Sequence, residues 1–114
     1  MLLTYVADFW AGAFICNCIP HLAAGLQGRP FPTPFSTPRG VADSPPLANV
    51  VWGMFNVVVG CLLVAYAPFS VGFTAGFGVF LLGASCLGAY VAVHFDRVLR
   101  SRTLRNAPDS EKQR

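Results

Sequence analysis

Two thiols and an imidazole fall within six residues in Cys16-Asn17-Cys18-Ile19-Pro20-His21, and these are side chains that ligate zinc, copper or haem iron. The spacing is neither C-x-x-C nor C-x-x-C-H, no fourth ligand is evident, and on a continuous helix Cys16 and Cys18 point about 200° apart. Small residues at a helix end explain the run without a metal. Cys16, Cys18 and His21 are therefore weak metal candidates, and no cofactor is expected. Asp8, a carboxylate inside an apolar run, could relay protons as intramembrane acids do; its structural alternative is a carboxyl hydrogen-bonded to Thr4 or to an Asn amide of another segment. His21 could act as a base, yet no serine, cysteine or carboxylate is tied to it at a recognisable spacing. With no carboxylate pair and no phosphate-cradling glycine loop either, catalysis is not expected, and His21 reads as a hydrogen-bonded loop anchor. Cys61 and Cys86 read as free buried thiols, too far apart in depth for a disulfide.

The elements that hold these residues are apolar. The chain has 114 residues, 54% of them hydrophobic and 11% charged, with a mean hydropathy of +0.55. That composition points to a single membrane domain, because nothing in the chain supplies the amphipathic shell that a buried soluble helix of this apolarity needs. The expected fold is all-α with three transmembrane helices at about 1–19, 47–66 and 71–93, a proline-rich loop over 20–46 and a basic tail over 94–114. Each span is about 28 Å or longer as a helix, enough to cross a hydrocarbon core. The first has no Lys or Arg ahead of its apolar run and no small-residue cleavage pattern, so it is expected to be retained rather than removed as a signal peptide.

Within the spans, small and polar residues recur at helical spacing. Thr4, Asp8, Gly12 and Cys16 form one stripe, opposite Leu3, Phe9, Trp10 and Phe14; Asn49, Gly53, Asn56 and Gly60 form another; Gly72, Gly76, Ala84 and Gly88 form a third, interrupted by Phe80. Such rows let neighbouring backbones approach closely, and Asn amides bond across them. Asp8, Asn49 and Asn56 are thus the expected polar intramembrane face, and Gly53, Gly60, Gly72, Gly76, Ala84 and Gly88 the helix-packing face. The short Ala67-Pro68-Phe69-Ser70 connection predicts a tight antiparallel hairpin of spans two and three, whose partner at the third row is either span two or a second copy of the chain.

Between the first two spans, Pro30, Pro32, Pro34, Pro38, Pro45 and Pro46 exclude a long helix or a central strand and predict a stiff extended ribbon presenting Phe31 and Phe35. Those rings are expected to plug into helix ends or the interface, with a docking peptide for a partner protein as the rival. Asp43 or Ser44 would cap the second span, with proline in its first turn. Past the third span, Phe95, Val98 and Leu99 share a side flanked by Arg97 and Arg100, so the helix should continue along the headgroups, and residues from Asn106 onward should be disordered.

The eight Lys and Arg lie only in the proline loop and after residue 96. Basic residues flanking spans belong on the cytoplasmic side, which puts the loop and C-terminus inside and the N-terminus outside. Anionic lipid around Arg97, Arg100, Arg102 and Arg105 accounts for the cluster at roughly 1 kcal/mol per charge, and no nucleic-acid partner is expected.

The stretch PHLAAGLQGRPFPTPF followed by SPPLANVVWGMFNVVVG resembles a family of small uncharacterised bacterial integral membrane proteins. In that family Asn-x-x-Pro-His ends the first span and is followed by a glycine-rich turn, a Thr-Pro-Phe loop and an Asn-x-x-Trp-Gly span. The matching positions here are Asn17, Pro20, His21, Gly25, Gly28, Thr33, Pro34, Phe35, Asn49, Trp52, Gly53 and Asn56. The resemblance implies a bacterial inner-membrane protein and attaches no activity to it. Adjacency suggests that His21, the Thr33-Pro34-Phe35 ribbon and Asn49/Asn56 meet at the cytoplasmic end of spans one and two. The expected role is a non-catalytic subunit of a larger membrane complex or a self-associating scaffold. A channel, exporter or holin-like pore using Asp8, Asn49 and Asn56 is the alternative. The charge pattern predicts that a reporter fused after Arg114 reads cytoplasmic; an extracytoplasmic signal would reverse the orientation.

Overall fold

The computed structural model describes residues 1–113. Three helices are long and apolar enough to cross a membrane: α1, Leu2–Leu26; α2, Pro46–Tyr66; and α3, Ala75–Asn106. Their outer faces carry exposed Leu2, Trp10, Val51, Phe55, Leu62, Leu82 and Val93, as a lipid-facing surface requires. This is a multi-pass membrane protein.

The elements differ from expectation at four points. Helix α1 does not stop before Pro20 but runs two turns past it. A proline inside a helix costs about 3 kcal/mol, and the packing of the extra turns on α2 offsets it: a Cβ at Gly25 would sit 2.7 Å from the Pro46 carbonyl oxygen. The helix ends at Leu26, and just past its cap Gly28 takes a φ of +70°, where the N–H groups of Gly28 and Arg29 bond back to Gly25 and Ala24. Helix α3 starts at Ala75 rather than Val71, because the Thr74 hydroxyl caps the Phe77 N–H and Gly72, at φ +129°, belongs to the preceding turn. Helix α2 is preceded by Pro45 with no side-chain cap. Asp43 and Ser44 instead form a two-residue strand, β2, paired antiparallel with β1, Phe31–Pro32. Beyond α3, Asp109–Lys112 forms a further helical turn, α4, where disorder was expected. Pro108 interrupts the chain and Asp109 suits a helix N-terminus.

The packing corrects the expected hairpin. Helix α1 contacts both α2 and α3, which have almost no direct contact with each other. It runs antiparallel to α2, as shown by Leu22 against Gly53 and Ile15 against Gly60, and parallel to α3, as shown by Gly12 against Phe80 and Cys16 against Gly88. The second and third small-residue rows are therefore closed by α1, and Gly72 stands outside them. Contact is tightest at Gly12 and at Gly83, a position the row pattern missed. A Cβ at either would lie 1.8 Å from a backbone carbonyl oxygen, of Phe80 and Phe9 respectively. Phe9, which the spacing sets opposite the small-residue stripe, thus packs its backbone on α3. Cys61 and Cys86 are free but exposed on the outer surface rather than buried.

Gly12→Ala and Gly83→Ala each force two helix backbones apart and should destabilise the detergent-solubilised protein by at least about 2 kcal/mol. Gly78→Ala, with nothing within 4 Å, should leave the thermal midpoint unchanged. Equal midpoints for all three would refute the central placement of α1.

Candidate functional site

On α1, Asn17 and His21 are four residues apart; on α2, Asn49 and Asn56 are seven apart, so each pair shares a face. Because the helices are antiparallel, the pairs meet as two rungs. Asn17 Nδ2 donates to Asn56 Oδ1 at 3.0 Å, and His21 Nδ1 lies 2.8 Å from Asn49 Oδ1. Asn56 Nδ2 in turn donates to the Trp52 carbonyl at 2.7 Å. Both α2 amides are fully buried, and His21 is 2% exposed.

Asn49 also holds the loop. Its Nδ2 donates to the carbonyls of Phe31, Ser44 and Pro45 at 2.9–3.2 Å, which fixes its Oδ1 as the acceptor facing His21. The imidazole therefore carries its proton on Nδ1, and in the neutral ring Nε2 is an acceptor. Around it stand the rings of Phe31, Trp52 and Phe95, with centroids 5.6, 6.3 and 6.4 Å away.

The loop has an interior of its own, centred on Thr33, which is 1% exposed. The Thr33 hydroxyl is 2.6 Å from that of Ser44 and accepts from the Phe35 N–H. Its carbonyl accepts from the Ser36 and Gly40 N–H groups and the Ser36 hydroxyl. Helix α3 clasps the far side: His94 Nε2 donates to the Gly40 carbonyl at 2.7 Å, and Arg102 donates to the Val41 carbonyl and pairs with Asp43 at 2.9 Å. The loop and the C-terminal half of α3 thus share one end of the bundle. The phenylalanines divide: Phe31 packs inward, 4.6 Å from Phe95, whereas Phe35 is 70% exposed and meets Trp52 edge-on.

Of the expected constellation, His21 and Asn49 are in direct contact; Asn56 pairs instead with Asn17, Thr33 bonds Ser44 inside the loop, Phe35 meets Trp52, and Pro34 lines a cavity together with His21 and Thr33. The expected polar face is not continuous. Asp8 lies between α1 and α3, facing Gly76, about 13 Å along the helix from Asn17. It is 3% exposed and bonds neither Thr4, whose hydroxyl donates to the Met1 carbonyl, nor an Asn amide; its Oδ1 has no partner. The Cys18 thiol donates to the Ile15 carbonyl, and among the described residues no group of three His, Cys, Asp or Glu converges on a metal position. Of the arginines assigned to lipid, Arg102 is committed to the loop and Arg100 bonds Asp96 at 3.0 Å.

Several partners lay outside the sequence reading. Asn17 had a visible signal, its four-residue spacing to His21 matching the Asn49/Asn56 pair on an antiparallel neighbour. The links of Gly40 to His94 and of Asp43 to Arg102 had none, since they join segments more than fifty residues apart.

Comparison with family models, curated proteins and solved structures finds no match to this chain.

Removing Asn49 strips buried carbonyls and the His21 N–H of their partner, at about 1–3 kcal/mol for each unsatisfied group. Asn56→Ala breaks one interhelical bond, worth about 0.6–2 kcal/mol. Asn49→Ala should therefore lower stability more than Asn56→Ala in a denaturant titration, and should loosen the loop enough for trypsin to cut after Arg39 in folded protein. A loop that stays resistant in Asn49→Ala would contradict its role.

Proposed function

We propose that this chain is a non-catalytic subunit of a larger bacterial inner-membrane assembly, with its N-terminus outside and its proline loop and C-terminus cytoplasmic. The observation that carries the reading is that the polar side chains at the loop end are bonded to one another and to the loop. Asn17 is matched with Asn56 and His21 with Asn49, which leaves them to hold a rigid cap rather than to line a path. Self-association through the glycine rows is disfavoured, since α1 fills both. The placement of every Lys and Arg in the loop or after residue 96 supports the orientation, and the motif resemblance supports the bacterial membrane.

A pore or exporter component is the second reading, favoured by the buried Asp8 Oδ1 that lacks a partner. Controlled expression with a membrane-potential dye, followed by purification from native membranes in mild detergent, separates the two. The subunit reading expects an intact potential and a companion at fixed stoichiometry. Depolarisation that Asp8→Asn abolishes would replace it with the pore reading.

A further inference from the structure

Between the loop and the ends of the three helices lies a cavity of about 260 Å³ lined by Asn17, His21, Arg39, Trp52, Tyr90 and His94, among others, with no acidic side chain. Three of its donors are uncommitted. The Trp52 indole N–H is buried without a hydrogen-bond partner. Among the described residues, the Tyr90 hydroxyl and the exposed Arg39 guanidinium also have none. Two acids at this end of the bundle, Asp43 and Asp96, are paired with Arg102 and Arg100. Unpaired donors with a cation and no carboxylate favour an anion.

The cavity continues into the membrane. Asn17, Tyr90 and Val91 also line an apolar groove of about 440 Å³ between α1 and α3, whose walls are Phe9, Trp10, Ala13 and Leu87. From Asn17 back to Phe9 it extends about 12 Å along α1. Helix α1, about 37 Å long, outruns a hydrocarbon core of about 30 Å, so the polar end lies at headgroup depth and the groove among acyl chains.

We propose that cavity and groove together bind one anionic membrane phospholipid. Its phosphodiester takes the Arg39, Tyr90 and Trp52 donors, and one acyl chain lies along Phe9, Trp10 and Leu87. This site differs from the diffuse attraction of lipid to the basic tail, because it joins a defined set of donors to a chain-length groove. It holds whether or not the chain has a protein companion.

Native mass spectrometry of the delipidated full chain in detergent tests the site, with phosphatidylglycerol and phosphatidylcholine titrated separately. The expected result is one tightly retained phosphatidylglycerol, bound at least about tenfold more tightly than phosphatidylcholine. Arg39→Gln should weaken it about tenfold, as loss of one charge-assisted hydrogen bond does, and Tyr90→Phe should weaken it in the same direction. Arg29→Gln, which removes an equal charge from the same loop outside the cavity, should leave it unchanged. Equal retention of the two lipids, or equal losses in Arg29→Gln and Arg39→Gln, would overturn the proposal. Displacement of the lipid by millimolar inorganic phosphate would also overturn it, by showing a phosphate site that makes no use of the acyl chain.

Discussion

A polypeptide loop can rest on the edge of a bilayer only if its backbone carbonyls find donors, since the apolar side of the boundary offers no water to supply them. Here one carboxamide meets that requirement at three carbonyls. Asn49 gives its amide hydrogens to three loop carbonyls and takes a proton from His21 with its oxygen, joining α1, α2 and the loop at one buried point. The proline content that prevents the loop from forming a helix or sheet also reduces its demand for partners, because each proline removes a donor. His94 and Arg102 then supply donors to the Gly40 and Val41 carbonyls, and the Thr33 carbonyl is met from within the loop.

The same economy governs the helices. Apolar side chains gain little by leaving lipid for one another, so association rests on close backbone approach and on the few hydrogen bonds that can form. Glycine provides the first at Gly12, Gly25, Gly53, Gly60 and Gly83, and asparagine the second. Helix α1 makes close glycine contacts with α2 on one side and α3 on the other, and the asparagine bonds on the α2 side, which makes it the centre of the bundle although it carries a buried carboxylate and an internal proline. Its extension past Pro20 brings His21 to the level of Asn49. A helix ending before the proline would have left that ring outside the cluster.

Clamping the loop onto α3 has a consequence for shape. His94 and Arg102 hold Gly40, Val41 and Asp43 against one helix while Asn49 holds Phe31 and Ser44 against another. The loop therefore bridges the bundle end instead of filling it, and the space beneath keeps donors that the protein itself does not satisfy. Rigid walls and unspent hydrogen-bonding capacity are what a specific ligand site needs.

By itself the sequence determined the three apolar spans and the spacing that sets Asn49 and Asn56 on one face of the second, but neither the inclusion of Asn17 nor the exclusion of Asp8. The spans and the shared face follow from local composition and from residue spacing along single helices, which the 3.6-residue repeat makes readable. It also marked Gly53, Gly60, Gly76, Ala84 and Gly88 as sites of close approach, but not which helix approaches them. Tertiary structure alone decided that α1 lies between α2 and α3, that it continues through Pro20, that Asp43 pairs with Arg102 rather than capping α2, and that Asp8 stands apart from the asparagines. Each of these is a competition between a local preference and a contact with a segment distant in the chain. Its outcome depends on distances that no spacing along one helix encodes.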